Sequence, residues 1–231
     1  MLSKSEIILF TAKSLTISVN TKNLNDVRKA LQLNDINWEL FVKISTSQLV
    51  LPALYCNYKR KNLLQFLPND LVSYMYEITE LNRDRNVKII EQINVLNSLL
   101  KQNGVSPIFL KGSSYLIQGL YDDIAERMIG DIDFLVSKNE YDLASIILSD
   151  HNYKPVSQLG YHFPQFKHYP RLFNNDLIAS VEIHKEMVNK KYVKEFNFDK
   201  IKGEITHENG YSFLGNNDQK ALSIFSNQIN D

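Results

Sequence analysis

Arg127-Met128-Ile129-Gly130-Asp131-Ile132-Asp133-Phe134-Leu135-Val136 is the stretch on which the reading of this chain turns. From Asp131 onward, polar and apolar residues alternate with the period of a β-strand. Side chains two apart on a strand face the same side, so Asp131 and Asp133 are expected to project together while Ile132 and Phe134 enter a core. Asp is depleted in strands, and two of them inside an otherwise apolar run ask for a reason. Paired carboxylates repel each other unless a cation sits between them. A hard divalent cation such as Mg²⁺, bound by one or two carboxylates and substrate phosphates, supplies that reason. The bland reading is a solvent-facing edge strand decorated with Asp. On the metal reading, neutralising Asp133 is expected to relieve repulsion and stabilise the metal-free chain.

Two further segments belong with this one. Upstream, Pro107-Ile108-Phe109-Leu110 reads as a short buried strand that runs into Lys111-Gly112-Ser113-Ser114. A glycine lets backbone approach a ligand closely, and a helix N-terminus presents free N–H groups to anions. Taken alone, the segment is equally an ordinary strand-to-helix turn with a Ser cap. Downstream, Ser180 to His184 alternates again, so Glu182 and His184 share one face opposite Val181 and Ile183. A third carboxylate on a neighbouring strand would complete a two-metal site. An amphipathic edge strand is the alternative.

In this order the segments resemble the polymerase-β-like nucleotidyltransferase superfamily: a hydrophobic–Gly–Ser turn, an Asp-x-Asp strand, and a later carboxylate on a strand. More closely, Phe109-Leu110-Lys111-Gly112, Leu120-Tyr121, Arg127 to Val136 and Val181-Glu182-Ile183-His184 are similar to the uncharacterised bacterial nucleotidyltransferase family 5. The resemblance extends over roughly residues 105 to 190 and more loosely over the helical part before them. It implies an α/β (α+β) fold with a small mixed β-sheet. It also implies transfer of an NMP from an NTP to an acceptor hydroxyl, with release of pyrophosphate and with Mg²⁺ or Mn²⁺ as cofactor. Asp131, Asp133 and Glu182 are then the catalytic and metal-binding residues, and Gly112 and Ser113 cradle the triphosphate. Lys111 and Arg127 are candidates for phosphate charge, and are equally readable as surface cations. The gap between the Gly-Ser turn and Asp131 is longer than in compact members, so an extra loop or longer helix is expected there. The rival reading is a catalytically silent nucleotide-binding or regulatory protein that keeps the fold. A phosphotransferase using the same metal site is a third possibility.

Around these motifs, the chain changes character once. Residues 1–103 contain no glycine, and only Pro52 and Pro68 interrupt them, so a mainly helical region is expected before an α/β core at 104–231. Leu71, Met75, Ile78, Ile89, Ile93, Leu96 and Leu100 recur at helical spacing, predicting one long helix or two in series between Asp70 and Gln102. Ser113 to Tyr121 is read as a helix with Tyr115, Leu116 and Leu120 inward. Tyr141–Leu148 is read as another, residues 153–156 as a strand, and a last helix is expected from Asn217 or Asp218. His168 and Arg171 are candidate acceptor-side residues, and His184 joins them because it shares the face of Glu182. His162 and His168 match no zinc spacing. They lie with Tyr161, Phe163, Phe166 and Tyr169 in a segment read as a loop with packed aromatics, or alternatively as a base-stacking or acceptor-binding loop.

Composition sets the outer bounds. Apolar residues are 44% of the 231, enough for a packed core. Lys+Arg and Asp+Glu both total 26, so the chain lacks the basic excess of proteins that live on nucleic-acid phosphates. Lys190, Lys191 and Lys194 form a short basic run, read as a solvated face. The one cysteine, Cys56, builds no disulfide and is read as core packing. No apolar run reaches membrane-spanning length and no leader pattern opens the chain, so a cytoplasmic location is expected. The expected partners are a nucleoside triphosphate and an unidentified acceptor.

Overall fold

The computed structural model describes residues 2–33, 35–156, 168, 170–188, 190–201 and 203–228. His162, Tyr161, Phe163, Phe166 and Tyr169 lie outside the described residues. Two compact units are present, Met1–Val87 with Tyr121–Met128, and Lys88–Leu120 with Ile129–Asp231.

The first unit is helical: α1 (Lys4–Ser14), α2 (Thr21–Leu33), α3 (Trp38–Ser47), α4 (Leu51–Arg60) and the first half of α5 (Asn69–Gln102). Its helices start where local chemistry satisfies free N–H groups. Ser3 and Glu6 form a capping box at α1, with the Ser3 N–H donating to the Glu6 carboxylate at 2.8 Å. Asn37 caps α3 by accepting from the Leu40 N–H at 3.0 Å. Pro52 sits in the first turn of α4, where a missing N–H costs no helical hydrogen bond. Ile7, Phe10, Phe41, Leu54, Tyr58 and Met75 build the core. Phe10 and Trp38 both meet Phe41 edge-on, with ring centroids 5.8 and 5.7 Å away. Cys56 is buried in the same core, as expected, and burial pushes its thiol up to about 12.

Tyr121–Met128 lies between the Gly-Ser turn and Asp131, where an extra loop or a longer helix is expected. It is loop apart from a 3-10 turn at Ile124–Glu126, so its carbonyls lack ladder partners. Two buried asparagines of α5 supply the donors. Asn82 reaches the carbonyls of Ala125 and Arg127 at 2.7 and 3.1 Å, and Asn86 those of Ile124 and Arg127 at 2.7 Å each. Arg83, between them, grips Asp123 with a two-nitrogen fork at 2.6 and 3.0 Å. Arg60 of α4 pairs with Glu126 and, at 3.4 Å, with Asp122.

The second unit holds α5 from Lys88 onward, then β1 (Ile108–Phe109), α6 (Lys111–Ile117), β2 (Asp131–Leu135), α7 (Tyr141–Asp150), β3 (Lys154–Pro155), β4 (Leu172–Phe173), β5 (Ser180–His184), α8 (Phe198–Ile201), β6 (Thr206–Glu208), β7 (Tyr211–Phe213) and α9 (Asn216–Gln228). Among the described residues the strands form one mixed sheet in the order β3-β4-β5-β2-β1-β7-β6. β2 is central, parallel to β5 and antiparallel to β1. Ile132, Phe134, Val181 and Ile183 are fully buried on one sheet face. Phe109 meets Phe134 and Tyr211 there at 6.3 and 5.9 Å, and the Tyr211 hydroxyl donates to Asn94 of α5. Gln92 ties the same helix to the start of β5, bonding both the N–H and the carbonyl of Ala179. The other face carries Asp131, Asp133, Glu182 and His184. One step along β2, Leu135 returns that face to an apolar cluster with Met187, Val188 and Phe196.

Several boundaries differ from the sequence reading. The helix expected over Ser113–Tyr121 is α6, which begins at Lys111 and ends at Ile117. Gly119 adopts the left-handed φ of 65° and turns the chain, leaving Leu120 59% exposed rather than inward. The strand expected at 153–156 is only the two residues of β3. The β6–β7 hairpin was not anticipated, although Asn209-Gly210, with φ of 49° and 81°, is a strong hairpin dipeptide.

The Arg83 hydrogen bond holds the Asp123 carboxyl below its ordinary 3.8, against the opposing effect of burial. A carboxyl made more acidic by folding stabilises the fold above its unfolded pKa, and that contribution is lost as pH falls through its lower folded value. Asp123→Asn keeps the oxygen that accepts from the Ala125 N–H and removes only the charge. The variant is expected to be about 1 kcal/mol less stable than wild type at pH 7, the pair being partly exposed. Urea unfolding at a series of pH values should show that difference shrinking below about pH 4. A difference independent of pH would contradict the charge assignment.

Candidate active site

The parallel register of β2 with β5 puts Asp133 opposite Glu182 and Asp131 opposite Ser180. Strand parity therefore brings Asp131, Asp133, Glu182 and His184 to one face, as their alternation suggested. Asp133, Glu182 and His184 are buried at 3%, 8% and 0% exposure, while Asp131 lies at the more open edge. One ligand atom from each of Asp133, Glu182 and His184 falls within 4.8 Å of the others. Two carboxylate oxygens and an imidazole nitrogen at that spacing fit a divalent cation. The oxygens suit Mg²⁺ or Mn²⁺, and the imidazole is a donor that Mg²⁺ uses less readily.

Buried carboxylates need compensation, and Lys111, Arg171 and two histidines surround them. Lys111 Nζ lies 2.6 Å from Asp133 Oδ1, and His184 Nε2 is 2.8 Å from the same oxygen. His184 Nε2 is also 3.6 Å from Glu182 Oε2, which His168 Nε2 approaches at 3.9 Å. Arg171 covers the outer side: its Nε and an NH2 donate to Glu182 Oε1 at 3.1 and 3.0 Å, and the same NH2 donates to Asp131 Oδ2 at 2.7 Å. A single nitrogen thus joins Asp131 to Glu182.

The electrostatics follow from these partners. Burial opposes ionisation of Asp133, but the His184 hydrogen bond and the charges of His184 and Lys111 outweigh it, so its carboxyl sits well below the usual range. Burial acts likewise on Glu182, which the His184 hydrogen bond and the nearby histidine charges still bring down to about 2. Asp131 moves the other way: burial and its two acidic neighbours raise it, and Arg171 and Lys111 only partly compensate. Lys111 is penalised by burial, yet Asp133 holds it above its ordinary value.

The turn before the cluster is built for this contact. Lys111 opens α6 with a left-handed φ of 50°, a conformation that costs an L-residue about 1 kcal/mol or more, and its ammonium meets the buried Asp133. The positive φ thus falls on Lys111, and not on Gly112. The Ser113 hydroxyl accepts from the Asp133 N–H at 3.1 Å and lies 3.4 Å from the Asp131 carbonyl, so it stitches α6 to the backbone of β2. Gly112 is buried beside it. Arg127 belongs to the first unit, where its carbonyl receives Asn82 and Asn86.

Every member of the cluster was a candidate in the sequence; what the sequence did not disclose is the pairing. Alternation pointed to His184 but not to its bond with Asp133. Arg171 reaches the carboxylates because β4, directly after it, pairs with β5 through Leu172 and Val181. The two-residue strand β4 is too short to announce that pairing in the sequence.

Residues 34–220 match the model of a family described as an uncharacterised nucleotidyltransferase. Comparison with curated proteins gave no match, and comparison with solved structures gave none. The matched span contains the turn, both acidic strands and the extra segment together. The chain therefore belongs to the uncharacterised nucleotidyltransferase family.

Proposed function

We propose that the protein is a metal-dependent nucleotidyltransferase that moves an NMP from an NTP to an acceptor hydroxyl. The observation that carries this reading is the buried group Asp133, Glu182 and His184, with Asp131 beside it on the same sheet face. An isolated buried acid pair is costly, and a divalent cation that also meets substrate phosphates turns that cost into a binding site. Among the described residues, no helix is long and apolar enough to cross a membrane.

In this reaction the acceptor oxygen forms a bond to the α-phosphorus, the bond to the β-phosphate oxygen breaks, and pyrophosphate leaves. Asp131, Asp133 and Glu182 would hold Mg²⁺ or Mn²⁺, which supplies charge neutralisation at the phosphates. His184 orients Asp133 and Glu182 through its Nε2. The start of α6 at Lys111, Gly112 and Ser113 is the proposed contact for the triphosphate. The acceptor's proton needs a base. Glu182 and Asp131, which share the Arg171 guanidinium on the acidic face, are the candidates. His168 and Arg171, which both approach Glu182, are the candidates for contacting the acceptor.

Transfer is tested by incubating the protein with each α-labelled NTP, Mg²⁺ or Mn²⁺ and cell extract, and asking which species gains label. Asp131→Asn is expected to lower transfer about a thousandfold or more, since each ~1.4 kcal/mol of lost transition-state stabilisation is tenfold in rate. Nucleotide binding without label transfer by the wild type would instead favour a silent binding protein. Asp133→Asn is expected to stop transfer as well, but at a cost to the fold. The sequence suggested that neutralising Asp133 relieves repulsion. In the structure its charge answers Lys111 and His184, so its loss leaves buried donors poorly paired, at about 1–3 kcal/mol. Thermal melting in EDTA should fall relative to wild type; a rise would restore the repulsion view.

A further inference from the structure

The acidic cluster is neutralised from two sides, and the two sides differ. The inner side is closed: Asp133 Oδ1 is held by Lys111 and by the fully buried His184. On the outer side Arg171, whose side chain is 50% exposed, bridges Asp131 and Glu182, and His168 Nε2 approaches Glu182 at 3.9 Å. Arg171's carbonyl accepts from the Val156 N–H at 2.9 Å, which ties its backbone to the neighbouring strand while the side chain reaches the carboxylates. The oxygens it occupies, Asp131 Oδ2 and Glu182 Oε1, belong to two of the three carboxylates that the proposed function assigns to the metal.

We propose that Arg171 is a built-in competitor of the metal: a positioning residue whose guanidinium bridges Asp131 and Glu182 and is exchanged for the divalent cation. A guanidinium and a divalent cation cannot both sit between the same carboxylates, because their charges repel at a separation of a few ångströms. Holding Arg171 there therefore weakens binding of the metal alone. A triphosphate entering the site offers the displaced guanidinium a new anionic partner, so nucleotide and metal help each other bind. The consequence is a site that loads metal weakly until its substrate arrives. This inference rests on the metal-binding reading of the cluster.

The sign of the effect separates competition from support. If Arg171 merely orients the carboxylates, removing it should weaken metal binding. If it competes, removal should strengthen it. The experiment titrates Mn²⁺ into the full chain without nucleotide at pH 8, followed by electron paramagnetic resonance, for wild type, Arg171→Met and Arg171→Lys. Arg171→Met keeps a long apolar stem and removes the charge. It is expected to bind Mn²⁺ about tenfold tighter than wild type, with Arg171→Lys in between because an ammonium lacks the fork. Circular dichroism of each variant checks that the fold is retained, and Arg171→Gln serves in place of Arg171→Met if the latter fails to fold. Equal or weaker Mn²⁺ binding by the neutral variant overturns the competition while leaving the metal site intact. Absence of Mn²⁺ binding in both wild type and the neutral variant overturns the metal reading, and the competition with it.

Discussion

Two adjacent parallel strands hold Asp133 directly opposite Glu182, and both carboxylates are almost entirely removed from water. Burying like charges side by side is among the least favourable things a small sheet can do, and the rest of the unit is arranged around that cost. Lys111 accepts a left-handed backbone to bring an ammonium to Asp133. His184 occupies the next position along the same face and bonds the same oxygen. Arg171 closes the open side. The opposite face of the two strands is wholly apolar, which fixes their orientation: a slip of one residue would exchange Ile132 and Ile183 for the acids.

The same constraint explains the position of the cluster along the strands. Leu135, on the acidic face but one step beyond Asp133, already belongs to an apolar cluster with Met187, Val188 and Phe196. The polar end of the face is therefore the end near the turn into α6, where Ser113 joins the helix to the β2 backbone. The carboxylates and the start of α6 therefore lie together at one end of the sheet face.

Much of this was legible in local patterns, because alternation and helical spacing are local. Asp131 to Leu135 and Ser180 to His184 are strands, the first ending one residue before Val136, and α5 runs through every apolar position that its spacing picked out. Features set by distant contacts were not legible. The two-residue strands β3 and β4 are too short to show a period; β4 is a strand because β5 gives it an edge, and β3 because β4 does. Leu120 reads as the next inward position of a helix, but Gly119 ends that helix first. The length between the Gly-Ser turn and Asp131 was visible as a number of residues. Its use, as a segment held by Asn82, Arg83 and Asn86, depends on side chains about 40 positions upstream.

The most direct test of the whole arrangement is where a cation goes. Crystals of the protein grown with Mn²⁺ and a non-hydrolysable nucleoside triphosphate, measured near the manganese absorption edge, report that position without reference to activity. The expected result is an anomalous peak about 2.1 Å from oxygens of Asp131, Asp133 or Glu182, with Arg171 withdrawn from Asp131 and the triphosphate reaching toward the start of α6. A nucleotide bound elsewhere, or an acidic face still bridged by Arg171 with no manganese peak beside it, would contradict the account.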